Sequence, residues 1–293
     1  MEHSFLPPPP RVAALHDLSC FGRCALTVIL PVLSAMGVQA VPVPTALLST
    51  HTGGFDHLHF RDLTHDMDAI ADHFDRLSLS FKALYSGFLG SAMQIRTVTR
   101  FLERFREPGT LVLVDPVMGD DGALYSTYTD ELVRGMRELC THADIITPNL
   151  TEACLLVGSD YSPTGELPRE EGLALAGRLL ANLIPLGAPD VVITGVEHND
   201  GTVSCVGRSE GRDFCYTHVR REESYPGTGD LFASVLLGKR LNGDSMEEAV
   251  RFASDYVSRV IAHSCRIPTP HREGIALEDC LWELVKKPQD TSV

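Results

Sequence analysis

The sequence predicts an α/β protein with a mainly parallel, doubly wound sheet flanked by helices. Three observations predict it. Short β-rich apolar runs alternate with helical patterns almost throughout; several runs end in small or polar residues just before a turn; and no apolar run reaches the roughly 18 residues of a membrane span. The 293 residues, 44% hydrophobic and 22% charged, have the composition of a globular protein with a sizeable core.

The runs are Val12 to Leu15, Ala40 to Val43, Ala83 to Tyr85, Leu111 to Val114, Asp144 to Ile146 and Val191 to Ile193. Between the first two, Leu26, Ile29, Leu30, Leu33 and Met36 recur at three- and four-residue spacing and end at Gly37, which predicts a helix with one face on the sheet. After Thr194 the pattern changes to a strand pair near Thr202 to Val206 and Asp213 to His218. Two helical stretches follow, Asp230 to Leu241 and Ser245 to Ala262, expected to close one edge of the same domain.

With no internal repeat and no long linker, residues 11–285 are expected to form a single domain. Met1 to Pro10 is expected to be a disordered or polyproline lead-in and Lys286 to Val293 a loose tail. Ser159 to Arg169, with two prolines and a glycine, predicts a surface loop that is either a plain connector or a cover over bound nucleotide.

Charge and cysteine content narrow the function. A formal net charge of −14 argues against nucleic-acid binding, which needs clustered Lys and Arg, but leaves room for a nucleotide triphosphate held by backbone N–H groups and a metal ion. The eight scattered cysteines include no CxxC pair and predict reduced thiols; the four-residue spacing of Cys20 and Cys24 is a weak metal signal. His57 and His59 form an HxH in a polar loop, expected to be solvated. The N-terminus has neither the basic flank nor the apolar stretch of a signal peptide, so the chain is expected to be cytoplasmic with no membrane partner.

Four turns follow strand ends: Ser86-Gly87, Asp115-Pro116, Thr147-Pro148-Asn149 and Thr194-Gly195. Ligands of open α/β sheets bind beyond the carboxyl ends of strands, so these turns are expected to share one crevice. No GxxxxGK[ST] occurs and the chain has four lysines, which excludes a P-loop as a simple reading.

Within Tyr225-Pro-Gly-Thr-Gly-Asp-Leu-Phe-Ala-Ser, residues Gly227, Thr228 and Gly229 lead into an apolar helix, where backbone N–H groups and the helix dipole can face an anion. Asp230 there is either a first-turn carboxylate or a general base taking the proton of an attacking hydroxyl. In Thr147-Pro148-Asn149-Leu150-Thr151-Glu152, Asn149 and Glu152 either form a capping box or reach a hydrated Mg²⁺ and nucleotide phosphates. In Val114-Asp115-Pro116-Val117-Met118-Gly119-Asp120-Asp121-Gly122, Asp115 either braces the turn or acts as electrostatic partner of the metal or phosphate site; the DDG run lacks the rest of a calcium loop.

The order of an N-terminal pocket, DPVMGDDG, TPNLTEA and GTGD resembles the ribokinase superfamily, and within it the branch of pyridoxal and hydroxymethylpyrimidine kinases. Ser49-Thr50-His51-Thr52-Gly53-Gly54-Phe55 resembles the SNHTGY segment of pyridoxal kinases, and His16-Asp17-Leu18-Ser19-Cys20-Phe21-Gly22-Arg23-Cys24 the opening strand-turn of bacterial pyridoxamine kinases. The similarity runs from about Arg11 to Arg266.

The resemblance implies a ribokinase-like fold and ATP-dependent phosphorylation of the 5-hydroxymethyl group of pyridoxal, pyridoxamine or pyridoxine. It makes Asp230 the base and Gly227 to Gly229 the anion hole. Asp115, Asn149, Glu152, Thr194, Gly195 and Tyr125 fall at ATP, with Glu152 and Asp115 towards Mg²⁺. Asp17, Ser19, His51, Thr52 and Phe88 fall at the substrate, His51 orienting its turn and Phe88 standing where many pyridoxal kinases carry Tyr. Activation by K⁺ and a homodimer are further implications. The alternatives are a hydroxymethylpyrimidine kinase of thiamine synthesis, which shares the nucleotide motifs, and a non-catalytic B6-binding homologue, against which the intact GTGD argues.

Overall fold

The computed structural model describes residues 7–285. Residues 1–6 of the expected lead-in and the whole expected tail, 286–293, lie outside the described residues, and Pro7 to Pro10 has no regular structure.

In chain order the elements are β1 (Arg11–Phe21), α1 (Leu26–Ala35), β2 (Gln39–Thr50), β3 (Phe60–Asp62), α2 (Thr64–Arg76), β4 (Ala83–Ser86), α3 (Ala92–Phe105) and β5 (Leu111–Val114). Then come a small hairpin, β6 (Gly119–Asp120) and β7 (Ala123–Leu124), α4 (Asp130–Cys140), β8 (Ile145–Ile146), α5 (Leu150–Val157) and α6 (Arg169–Leu183). The chain closes with β9 (Asp190–Glu197), β10 (Thr202–Ser209), β11 (Arg212–Val219), α7 (Thr228–Leu241) and α8 (Met246–Ser264).

Nine strands form one sheet in the order β11-β10-β9-β8-β5-β4-β1-β2-β3. The run from β9 to β2 is parallel, while β3 on one edge and β10 and β11 on the other are antiparallel. Alternate residues of β1 feed opposite cores. Ala13 and Leu15 pack with residues of α2 to α6, whereas Val12 and Ala14 pack with α1, α7 and α8. Helices on both faces explain why the central strands read as continuous apolar runs. All six expected strands and the doubly wound architecture are present.

The structure differs from expectation in the lengths and in one turn. β1 and β2 run on to Phe21 and Thr50, well past Leu15 and Val43, and pair parallel to their ends through a register shift between His16 and Leu18. Pro42 and Pro44 in β2 disguise the strand; β3 pairs only with Ala46, Leu47 and Leu48, so the prolines stand where the sheet edge is uncovered and a missing donor breaks no outer ladder. Thr194-Gly195 does not end its strand. β9 continues to Glu197, with Gly195 at φ +69° beside a register shift in the β10 pairing, because a glycine can absorb a bulge without leaving the sheet.

Candidate active site

The carboxyl ends of β4, β5 and β8 release their turns on one side of the sheet, with Thr194 beside them: Thr194 N–H donates to Pro148 O at 2.9 Å. Two clusters of polar side chains result, the halves of the expected crevice: one built on Asp115, Asn149 and Glu152, the other on Asp17, Ser19 and Asp230.

In the first half Asn149 is the N-cap of α5 and completes a capping box with Glu152. Asn149 Oδ1 accepts from Glu152 N–H at 2.8 Å, and its amide donates to Gly119 O at 2.9 Å. The buried Glu152 carboxylate accepts from two backbone amides, Asn149 N–H at 2.8 Å and Met118 N–H at 3.1 Å. Glu152 thus ties the 116–122 turn to the helix. Thr151 Oγ1 adds a bond from Gly122 N–H at 2.9 Å. A Cβ on Gly119 would overlap the Ala123 carbonyl, so the β6–β7 hairpin closes only over a glycine.

Asp115, buried at the end of β5, accepts from Thr147 Oγ1 at 2.9 Å. Burial pushes its carboxyl up to about 6 against the pull of the Thr147 hydroxyl. Glu152 is held well above the usual carboxylate range, chiefly by burial and then by the charge of Asp115. Tyr125, at the end of the hairpin, has its phenol raised by burial and by Glu152, Asp120 and Asp115. Among the described residues none of the ion pairs involves Asp115, Glu152 or Asp230. Such an anionic wall needs added cations before it can face a triphosphate.

The second half is the GTGD turn. Gly227, at φ +86°, is the N-cap of α7, so Asp230 sits in the helix's first turn and not at its start. Leu231 N–H is the first to bond back, to Gly227 O at 2.9 Å, and Thr228 N–H reaches Tyr225 O at 3.4 Å. The Gly229 and Asp230 N–H groups precede the helix's hydrogen-bond ladder and have no acceptor within the helix, which leaves them able to face an anion.

Asp230 Oδ2 accepts from Ala25 N–H at 2.7 Å. Ala25 precedes α1 at φ 48°, ψ −132°, a region that L residues rarely enter, and strain of this kind persists only where the surroundings impose it. The Asp230 carboxyl is pushed up to about 7, mostly by burial, with Asp115 and Asp17 adding and the Ala25 amide opposing. Asp17 accepts from Ser19 Oγ at 2.9 Å and is raised to about 6 by burial. Three neighbouring carboxyls, Asp17 and Asp115 buried and Asp230 half-buried, therefore hold protons unusually well.

The other residues expected at the substrate arrive by different routes. His51 is buried; its Nε2 donates to Arg272 O at 2.6 Å and its Nδ1 accepts from Gly53 N–H at 3.1 Å, which fixes both tautomer and turn. Thr52 is exposed beside it, and Phe88 is half-buried with its ring edge-to-face on Tyr128 at 5.9 Å. His57 and His59 are exposed, the cysteines are unpaired, and among the described residues no group of three His, Cys, Asp or Glu could hold a metal. No described helix is long and apolar enough to cross a membrane.

Sequence reasoning missed Ala25, the bonds of Thr147 to Asp115 and of Met118 to Glu152, and the segment after Arg266, whose His271–Glu278 stretch returns to the Arg23, His51 and Pro226 loops. Buried His16, with both ring nitrogens lacking a hydrogen-bond partner, packs edge-to-face on Tyr85 at 4.3 Å; burial lowers it to about 3, so it is neutral. The local signal that could have marked the C-terminal return is Gly274, a glycine with positive φ beside Arg23.

A helix N-terminus carrying free amides and a high-pKa carboxylate, at the strand ends of a doubly wound sheet, suits a phosphotransferase with an alcohol group as acceptor. The comparisons agree. The phosphomethylpyrimidine kinase family matches residues 30–273, and the chain belongs to that family, within the ribokinase superfamily. A pyridoxine/pyridoxal/pyridoxamine kinase of Bordetella avium is 32% identical over 291 residues, covering 92% of this chain and 93% of the relative. A Bacteroides thetaiotaomicron protein assigned to the phosphomethylpyrimidine kinases, crystallised with pyridoxal, superposes with a TM-score of 0.87 at 39% identity, covering 94% of this chain and 96% of that one. Pyridoxal kinase from Leishmania donovani in complex with ADP and pyridoxamine superposes with a TM-score of 0.81 at 25% identity over 94% and 95% of the two chains.

Proposed function

We propose that this chain transfers the γ-phosphoryl group of ATP to the 5-hydroxymethyl group of a B6-type pyridine: pyridoxal, pyridoxamine or pyridoxine. One observation carries the reading. Asp230 combines a raised proton affinity with a single backbone hydrogen bond, beside two helix-start amides, so it can accept a proton where an anion is held. The pyridoxal and the ADP with pyridoxamine in the two solved relatives support the substrate pair.

In this reading Asp230 accepts the hydroxymethyl proton as the substrate oxygen forms its bond to the γ-phosphorus and the bond to the ADP oxygen breaks. The Gly229 and Asp230 amides face the transferring group, where preorganised donors act on developing negative charge. Asp17 and Ser19 border the ring, His51 holds the Thr52 turn against it, and Phe88 offers a face. Asp115, Tyr125, Asn149, Thr194 and Gly195 border the nucleotide.

The hard oxygen donors of Asp115 and Glu152 fit a divalent cation that keeps most of its waters, because the Glu152 oxygens already take two amides. Mg²⁺ bound there with ATP neutralises phosphate charge. K⁺ activation and a homodimer belong to the same proposal.

The test is ADP release with Mg²⁺-ATP and pyridoxal, pyridoxamine, pyridoxine or hydroxymethylpyrimidine, with Asp230→Asn as blank. Turnover on a pyridine that vanishes in the variant supports the reading. The family's own description favours a second reading, a hydroxymethylpyrimidine kinase, and turnover on the pyrimidine alone would select it. No turnover on any of them would leave a non-catalytic binder.

A further inference from the structure

The segment His271–Glu278 touches three loops that are far apart in sequence. It meets the β1–α1 loop through Arg23 N–H, which donates to Glu273 O at 2.9 Å, and through an Arg23 Nε to Glu278 Oε1 ion pair at 2.6 Å. It meets the His51 turn through the Arg272 carbonyl, while the Arg272 guanidinium lies 5.1 Å over the Phe55 ring. It meets the GTGD turn through Ile275 N–H, which donates to Pro226 O at 3.0 Å, and through His271, stacked on Tyr225 at 4.1 Å.

Two glycines trap the Arg23 peptide between these segments. A Cβ on Gly227 would overlap the Arg23 carbonyl, and one on Gly274, at φ +82°, would stand 2.6 Å from the same oxygen. Two residues on lies Ala25, with the strained backbone whose N–H holds Asp230. Ile275, Ala276 and Leu277 anchor the segment in the core, and Ala276 N–H donates to Ser264 Oγ at 2.9 Å. Among the described residues none of its hydrogen bonds reaches Asp115, Asn149, Glu152 or Thr194.

We propose that His271–Glu278 is a positioning strap for the acceptor half of the site: by pinning Arg23 against Gly227 it fixes the Ala25 amide on Asp230 and holds the His51 turn in the same frame. This rests on the reading of Asp230 as the base. The strap touches no reacting atom; its effect runs through Ala25 and is confined to acceptor chemistry.

Gly274→Ala is the direct test, with Gly243→Ala as its control. Gly243 also has positive φ, +98°, but nothing lies within 4 Å of its added Cβ, so it carries backbone strain without the clash. Gly274→Ala is expected to lower kcat/KM for the hydroxymethyl substrate by roughly tenfold or more, the scale of a small misplacement. The KM for ATP should stay within about twofold of the parent's, a margin small against the tenfold effects that misplacement brings. The acid limb of the pH profile should move up, because an Asp230 carboxylate that loses its amide donor holds its proton more tightly. Glu278→Gln, a surface change with little folding risk, should do the same to a smaller degree.

Amide exchange of Ala25 reads the strap without any turnover. The proposal predicts faster exchange at Ala25 in Gly274→Ala and not in Gly243→Ala, with Thr194 unchanged in both. Equal exchange and kinetics in the two variants, or an equal loss on ATP, would overturn it. If the parent phosphorylates none of the hydroxymethyl compounds, the proposed function fails, and Ala25 exchange still decides the strap.

Discussion

The two halves of the crevice use the same residue types in opposite ways. In the half proposed for the nucleotide, Asn149 and Glu152 spend their polar atoms inside the protein: each bonds the other's backbone, and each reaches across to the 116–122 turn. In the half proposed for the acceptor, Asp230 has one bond from a strained amide and Asp17 one from Ser19. Burial raises the proton affinity of carboxyls in both halves; what differs is that one saturated by backbone donors builds a wall, whereas one with a single donor keeps lone pairs free to take a substrate proton. A motif that reads equally well as a cap or as a ligand is resolved by how many of its lone pairs the fold has already engaged.

The largest effect expected from this contrast is on turnover. Asp230→Asn should fold, bind ATP and lose roughly 10²- to 10⁴-fold in kcat, the usual span of positioned general-base catalysis. An active Asp230→Asn enzyme would break the comparison at its centre. Gly119→Ala attacks the other half: with its Cβ overlapping Ala123 O, it should raise the KM for ATP several-fold, in steady-state assays, while leaving the KM for the hydroxymethyl substrate near the parent's.

Glu152→Gln sharpens the division of labour. It turns one carboxylate oxygen into an amide facing a backbone N–H, and calorimetry should show a loss of about 1–3 kcal/mol for the unsatisfied pair. It should also raise the Mg²⁺ concentration that gives half-maximal rate. An unchanged Mg²⁺ titration alongside the lost stability would leave Glu152 a cap alone.

The pH dependence follows from Asp230 itself. Its folded pKa, about 7, lies above its usual 3.8, so the folded state binds the proton more tightly than the unfolded state does. Its stabilising contribution is fully present below about pH 4 and is lost as pH rises through about 7. Asp230→Asn should therefore have a Tm a few degrees above the parent at pH 8, with the gap closing towards pH 4. A gap that widens on acidification would contradict the raised pKa. The smallest expected effect is at Ala25: Ala25→Gly relieves the positive φ and should gain about 1 kcal/mol or less, because glycine's own entropy offsets part of the relief.

Local chemistry made much of this legible before any coordinates. The parallel strands announced themselves by apolar content, α1 by its spacing and Gly37, and α8 by a helical stretch from Ser245, the residue that in the structure caps it by taking the Glu248 amide. The Asn149–Glu152 cap was equally visible, because both partners lie within one turn. Legibility failed where a residue's meaning depends on a distant neighbour. Pro42 and Pro44 hid the length of β2 because only the sheet order tells which edge is uncovered. The same holds for Thr194-Gly195, which reads as a turn until β10 pairs across it.

By itself the sequence determined the fold class, the motifs and their order along the chain, since these rest on periodicity and on contacts within a few residues. Only the tertiary structure decided which atoms of those motifs remain available. Ala25 meets Asp230 across 205 residues and Arg272 meets His51 across 221, and neither partner carries a local mark of the other. Burial, not residue type, raised the carboxyls of Asp17, Asp115 and Asp230, and burial exists only once the two cores have closed around the sheet.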